Sequence, residues 1–297
     1  MLVMKKKNIL LLGSDGYLGS NLSLKLNPDI FSVDKFDLYP KSKKTNKLDL
    51  KDVDKTIGII KDKSYDVVIC LVGVLPGVYR KNKLYNENLS AVNFLKKFNI
   101  DSHFIFCSST AVYKNNIFYK EIELGPFEIY GKSKLDCEKI IKNNTSSHTI
   151  FRIGTMVSKD RKGGIMNLLK RLQNGKFLWL PNGGNIIHPF VDVEDVVAAI
   201  EFACIEQVNG TFDLIANNRE TIKELAVQVN PNQKILNSKF IDWLTKYFGF
   251  DQFPILGISN WHFNALKYDL PKSKNKNLWN FTPLKSMRET IRKSLTH

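Results

Sequence analysis

The sequence predicts an α/β chain built on a doubly wound parallel sheet with helices on both faces, followed by a smaller, mostly helical carboxyl-terminal part. Three observations carry this reading. Near the amino terminus the apolar run Ile9–Leu12 enters Gly13-Ser14-Asp15-Gly16-Tyr17-Leu18-Gly19 and then an amphipathic stretch, which reads as strand, tight turn and helix. Strand-like and helix-like patterns alternate over residues 8–153, as in successive β-α-β units. The apolar run Phe104–Cys107 ends in the hydroxyl residues Ser108, Ser109 and Thr110, as a buried strand would at the open end of a parallel sheet.

The elements follow in order. Glycines at 13, 16 and 19 let the backbone approach a pyrophosphate, and the helix behind them supplies amide donors and a positive dipole end. Gly13, Gly16, Tyr17, Leu18 and Gly19 are therefore candidate dinucleotide-binding residues. A second apolar stretch, Ile30–Val33, ends at Asp34, and an acidic residue near this distance from the glycines suits a ribose 2′-hydroxyl. Tyr65–Gly73 reads as a further strand and Asn86–Leu95 as a helix. Beyond Arg152 the pattern changes: an amphipathic helix is expected at Met166–Leu172 and a glycine-rich turn at Asn182–Asn185. Residues 188–215 return to the strand-helix pattern, and 218–297 read as mostly helical.

Chemistry is suggested by Tyr130-Gly131-Lys132-Ser133-Lys134. As a helix start this puts Tyr130 and Lys134 four apart on one face. An ammonium beside a phenol favours the phenolate, turning a group of ordinary pKa about 10 into a usable acid/base. Ser109, at the end of its strand, is placed to hydrogen-bond the same substrate oxygen. Together these residues fit a reaction in which a hydroxyl loses its proton to Tyr130 while its carbon gives up hydride.

Taken together, these segments resemble the extended short-chain dehydrogenase/reductase family of NAD-dependent epimerases and dehydratases, nearly end to end. The resemblance implies a Rossmann-type nucleotide domain over 1–154 plus 188–217 and a substrate domain over 155–187 plus 218–297. It implies that Asp49 and Leu50 face the adenine, that Leu71, Val72 and Gly73 lie beside the cofactor, and that Asn88, Tyr130 and Lys134 also touch it. The segments Phe190–Ile200 and Leu278–Met287 are similar to a later strand-to-helix passage and to the ending of nucleotide-sugar members. The implied cofactor is NAD, with NADP an alternative that Lys35 and the 41–44 loop would favour. The implied reaction is epimerisation or reduction of a nucleoside-diphosphate sugar, in a homodimer joined through the helix that carries Tyr130.

Departures from the family pattern bear on the substrate. His188 and Thr155 stand where many nucleotide-sugar members carry an Arg and an Asn, and Lys114 stands where Gly is usual. Imidazole cannot reproduce the bidentate grip of guanidinium on a diphosphate. Thr110, Thr155 and His188 are the candidate substrate contacts. Thr110-Ala111 occupies the place of the Asp-Glu pair of sugar 4,6-dehydratases, which argues against water elimination. Reduction of a carbonyl substrate without a nucleotide, and a non-catalytic cofactor-binding role, are the alternatives; the retained Ser109, Tyr130 and Lys134 favour an enzyme.

Composition sets limits. A chain of 297 residues with 43% hydrophobic and 25% charged content is ordinary for a globular protein. The cysteines at 70, 107, 137 and 204 form no metal-ligand spacing and no disulfide framework, which suits a reducing cytoplasm. No stretch approaches the roughly 18 apolar residues of a membrane span, and the basic amino-terminal run ends in a glycine turn rather than a cleavage site. The net charge of +15 comes from scattered lysines, reads as a solvated surface rather than a nucleic-acid site, and would steer an anionic substrate inward. The aromatic residues of 243–263 read as packing rather than as a base-stacking surface.

Overall fold

The computed structural model describes residues 5–75, 81–113, 129–158, 178–216 and 220–237, with isolated positions at 171, 174, 252–253, 258–259 and 289. Seven strands form one parallel sheet: β1 (Lys7–Leu12), β2 (Phe31–Asp37), β3 (Asn46–Lys47), β4 (Val67–Cys70), β5 (His103–Ser109), β6 (His148–Ile153) and β10 (Gly210–Leu214). Their spatial order is β10-β6-β5-β4-β1-β2-β3. The chain thus builds outward from β1 in one direction and then from β4 in the other. The crevice at such a reversal, at the carboxyl ends of the strands, is where open α/β sheets bind ligands.

Alternation along β1 divides the core. Ile9 and Leu11 face one side, where α1 (Tyr17–Lys25) and α5 (Val193–Glu206) pack with Leu18, Leu22, Val196 and Ile200. Leu10 and Leu12 face the other side, against residues from α2 (Val53–Asp62) and α4 (Ile129–Asn144) and the short helical turn at Asn93–Lys96. All four β1 side chains are essentially inaccessible, and burying each contributes roughly 1.5–3 kcal/mol. Helix α3 (Lys81–Ser90) lies beside α4.

Smaller pieces sit past β6. Strand β7 (Thr155–Val157) pairs in parallel with β9 (Phe190–Asp192), and β8 (Leu178–Leu180) with β11 (Ile235–Asn237). Helix α6 (Ile222–Val229) opens with a capping box, in which Thr221 and Glu224 satisfy each other's backbone amides. The return of 188–215 to the main sheet is seen in β10, which pairs with β6 from Gly210↔Thr149 to Leu214↔Ile153. Met166–Leu172, the 243–263 aromatic run, Lys114 and Trp279–Pro283 fall, apart from single positions, outside the described residues.

Candidate active site

The glycine turn closes the carboxyl end of β1. Gly13 has φ +83°, a left-handed conformation that side chains disfavour. A Cβ on Gly19 would lie 2.2 Å from the Gly13 carbonyl oxygen, so the first turn of α1 packs directly on the turn before it. A Cβ on Gly13 would lie 3.1 Å from the Val72 amide nitrogen, which brings the segment after β4 alongside. The turn and the segment from Leu71 thus meet at the β1/β4 reversal, with Tyr17 and Leu18 opening α1.

The end of β2 is where the structure departs from the sequence reading. Strand β2 does not end at Asp34; it continues to Asp37. Asp34 pairs with Leu10 in mid-strand and accepts hydrogen bonds from Lys63 Nζ at 2.6 Å and Tyr65 OH at 2.8 Å, away from the glycine turn. Asp37 stands at the strand tip instead. Its Oδ2 accepts the Asp15 amide at 3.1 Å and its Oδ1 the Tyr39 amide at 3.0 Å, while the Gly13 and Ser14 amides bond to the Phe36 carbonyl. The signal that could have found Asp37 was Phe36, an apolar residue that prolongs the strand pattern up to the Asp37–Pro40 turn. Asp49 is exposed just past β3, with Oδ1 taking the Lys51 amide, and Leu50 is buried.

Ser109 lies at the end of β5, and Tyr130 and Lys134 at the start of α4. Ser109 is the last residue of β5, and its Oγ accepts the Ala111 amide at 3.2 Å. Tyr130 and Lys134 are buried in the first turns of α4. The Lys134 ammonium donates to the Cys107 carbonyl at 3.1 Å and lies 4.7 Å from the centre of the Phe106 ring. Among the described residues no carboxylate lies within ion-pair distance of it. A Cβ on Gly73 would come within 2.8 Å of Lys134 Nζ, which ties the cofactor-side segment to the same ammonium. The helix expected over Asn86–Leu95 is instead the end of α3, which stops at Ser90 and is followed by the turn Asn93–Lys96; Asn88 lies in the last turns of α3. Its Oδ1 accepts the Val74 amide at 2.7 Å, and its Nδ2 donates to the Val74 carbonyl and to Ser133 Oγ. It therefore clamps the segment after β4 onto α4.

Behind this centre lies a buried polar network that the sequence did not reveal. Glu138, one turn past Lys134, accepts from Arg152 Nε at 3.0 Å, Arg152 Nη2 at 2.7 Å and Ser108 Oγ at 2.6 Å. Arg152 Nη1 also donates to Tyr113 OH, which donates to Asp213 at 2.5 Å. Burial, with Asp213 beside it, pushes the Tyr113 phenol above its ordinary range, so it stays a neutral donor. Thr110 is buried at the start of the short turn that follows Ser109.

Just past the carboxyl end of β6, Thr155 Oγ1 and His188 Nε2 are 2.7 Å apart, and the His188 ring stands edge-on to Phe190 with centroids 4.7 Å apart. The register Ser109↔Ile153 puts Thr155 two residues beyond the neighbour of Ser109. The structure thus brings two of the three candidate substrate residues into direct contact.

The NAD dependent epimerase/dehydratase family matches residues 9–213, which span the glycine turn, the Ser109 strand, the Tyr130 helix and β10 up to Asp213. The chain belongs to that family. Its curated relatives include an uncharacterized protein, y4nG, of Sinorhizobium fredii, 26% identical over 237 residues. Another is the N-acetyl-alpha-D-glucosaminyl-diphospho-ditrans,octacis-undecaprenol 4-epimerase of Escherichia coli O157:H7, 25% identical over 197 residues. These matches cover 74% and 60% of this chain but only 59% and 57% of the relatives.

Solved family structures share the fold across almost the whole chain. UDP-glucose 4-epimerase of Thermotoga maritima superposes with a TM-score of 0.71 at 17% identity, covering 97% of both chains. The Bordetella bronchiseptica enzyme WbmG in complex with NAD gives 0.72 at 16% identity, covering 99% of this chain and 94% of its own. UDP-N-acetylglucosamine 4-epimerase of Bacillus cereus gives 0.71 at 17% identity, covering 97% and 95%. The fold is that of an NAD-binding Rossmann domain. In this family member the four thiols are free, and burial pushes Cys70 up to about 11 and Cys107, Cys137 and Cys204 up to about 12. None of them carries the reactive thiolate that nucleophilic chemistry needs. Among the described residues no helix is long and apolar enough to cross a membrane, and no three His, Cys, Asp or Glu side chains gather as a metal site.

Proposed function

We propose that the protein interconverts a diphosphate-linked sugar, of the nucleoside-diphosphate class, by oxidation and re-reduction at one hydroxyl-bearing carbon, with Tyr130 as the acid/base. The observation that carries the reading is the buried Lys134 ammonium, one turn along α4 from Tyr130, which bonds to the Cys107 carbonyl near the Ser109 end of β5 and meets Gly73 in the segment beside the glycine turn. The residues fit NAD. Gly13, Gly16 and Gly19 leave the turn open to a pyrophosphate at the start of α1, Asp37 rather than Asp34 accepts the adenosine ribose hydroxyls, and Lys134 reaches the segment at Gly73. NAD supplies the acceptor and donor of hydride.

The protein's own groups handle the proton. Ser109 Oγ accepts from the Ala111 amide, which leaves its O–H available to donate to the substrate oxygen. Tyr130 takes the hydroxyl proton as the carbon is oxidised and returns it on reduction. Lys134 favours the phenolate through its positive charge. Thr110-Ala111 offers no second carboxyl acid/base pair, which supports epimerisation or reduction over water elimination. The Thr155–His188 hydrogen bond favours, as a second reading, a substrate whose phosphate is not gripped by guanidinium, and hence a reductase acting on a carbonyl compound.

Incubation with UDP-glucose and UDP-N-acetylglucosamine, following the sugar products, and separately with a simple ketone or aldehyde plus reduced cofactor, following its absorbance, separates these readings. Epimerisation interconverts sugars with no net cofactor change; reduction consumes one reduced cofactor per product. Tyr130→Phe is expected to retain cofactor binding and lose at least about 10²-fold in turnover, and Ser109→Ala to lose less. Near-normal turnover in Tyr130→Phe removes Tyr130 from its role.

A further inference from the structure

One carboxylate at the cofactor end of the sheet is engaged by the protein itself. Asp15 lies inside the glycine turn, yet its side chain points into the loop after β2. Its Oδ2 accepts the backbone amides of Lys41 and of Ser42, the latter at 3.1 Å, and its Oδ1 accepts the Thr45 hydroxyl at 2.9 Å. Lys41 Nζ bonds to the Asp15 carbonyl oxygen at 3.0 Å. Consecutive amides, a hydroxyl and an adjacent ammonium are the donor set that grips a phosphate. Here they surround a carboxylate. The Asp15 amide in turn donates to Asp37, so this ring of donors and the strand-tip acid are immediate neighbours. Burial works against the charge, but the Lys41 and Ser42 amides prevail and hold the carboxyl below its ordinary range.

We propose that Asp15 is a specificity-determining residue: its carboxylate fills, as an internal anion, the donor ring of residues 41–45 beside the adenosine ribose position, and thereby turns away a dinucleotide carrying a 2′-phosphate. The inference rests on the reading of the glycine turn and Asp37 as the cofactor site. A 2′-phosphate approaching Asp37 meets two carboxylates and finds the nearby amides already used. Without Asp15, the Lys41 and Ser42 amides, the Thr45 hydroxyl and the Lys41 ammonium are released together, with exposed Lys43 and Lys44 alongside. That set would welcome a phosphate. Selectivity here is a repulsive element as much as an attractive one.

Calorimetric titration of the full chain with NAD and with NADP tests this without any substrate. The wild type should bind NAD at least about tenfold more tightly than NADP. Asp15→Ala should raise NADP affinity by about tenfold while changing NAD affinity by less than about threefold. Asp15→Asn, which keeps an acceptor oxygen but no charge, should fall between the two and guards against a collapsed loop in the alanine variant. The proposal is overturned if the wild type binds NADP as well as NAD, if the ratio is unchanged in both variants, or if it moves only because NAD binding weakens. Binding of neither dinucleotide by the wild type instead overturns the cofactor reading on which the inference stands.

Discussion

Arg152→Met is the sharpest test of what holds the candidate site together. Glu138 is 1% exposed, and three of its hydrogen bonds come from buried donors, two of them from Arg152. Removing the guanidinium leaves the Glu138 carboxylate with Ser108 Oγ and with Lys142, whose ammonium stands 3.9 Å away on a side chain 42% exposed. Breaking a buried pair at one partner costs about 3–5 kcal/mol, because the remaining charge is neither solvated nor paired. Lys142 is free to swing closer, which argues for the lower end, about 3 kcal/mol. At about 2–4 °C per kcal/mol for a chain of this size, Tm should fall by roughly 6–12 °C. Calorimetric melting measures the fall. Arg152→Met combined with Glu138→Gln removes both charges and should recover at least half of the loss, a coupling that a double-mutant cycle isolates. A single-variant loss below about 1 kcal/mol, or a double variant no better than the single, would refute the argument that this pair is a buried, mutually dependent unit.

Two further outcomes follow from the same geometry. Gly19→Ala places a methyl 2.2 Å from the Gly13 carbonyl, so the turn must shift; NAD affinity should fall at least about tenfold, and an unchanged affinity would show that the turn does not hold the dinucleotide. His103, 2% exposed and bonded to Ser147 Oγ at 2.6 Å and Thr149 Oγ1 at 2.8 Å, is lowered to about 4, by burial first and then by the charges of His148 and Lys7. Its folded value lies below the ordinary 6.5, so the unfolded chain binds the extra proton, and stability present above about pH 6.5 is lost as pH falls toward about 4, by up to about 3 kcal/mol. Urea melts across that window should show the slope, and His103→Gln should flatten it; an equal slope in both would exclude His103 as its source.

Much of the site was legible because its signals are local. A glycine turn after an apolar strand, and a Tyr and a Lys four apart, are patterns of spacing within one or two elements; the structure puts the turn at the β1/β4 reversal and Lys134 against Gly73 beside it. Ser109 was legible for the same reason: its strand is apolar until it reaches the open edge, where a hydroxyl is no longer costly to expose. The buried network was not legible. Tyr113 and Asp213 are 100 residues apart and meet only because β10 pairs beside β6. Glu138 reads in sequence as one more charge on a lysine-rich helix, and only tertiary packing turns it inward.

The difference between Asp34 and Asp37 shows what local reading lacks. A strand's end is set by its partners as well as by its own composition. Phe36 remains in β2 because β1 lies alongside and the Gly13 and Ser14 amides bond to its carbonyl. Once that pairing is fixed, the residue that follows Phe36 emerges at the turn. Alternation along β2 then leaves Asp34, three residues earlier, on the side of Lys63 and Tyr65, which bind it. The same three-residue extension carries the following loop far enough for Lys41, Ser42 and Thr45 to close on Asp15. A strand ending at Asp34 would have left the glycine turn without Asp37 and Asp15 without its donors. The position of Asp37 and the engagement of Asp15 by Lys41, Ser42 and Thr45 are therefore one consequence of one register.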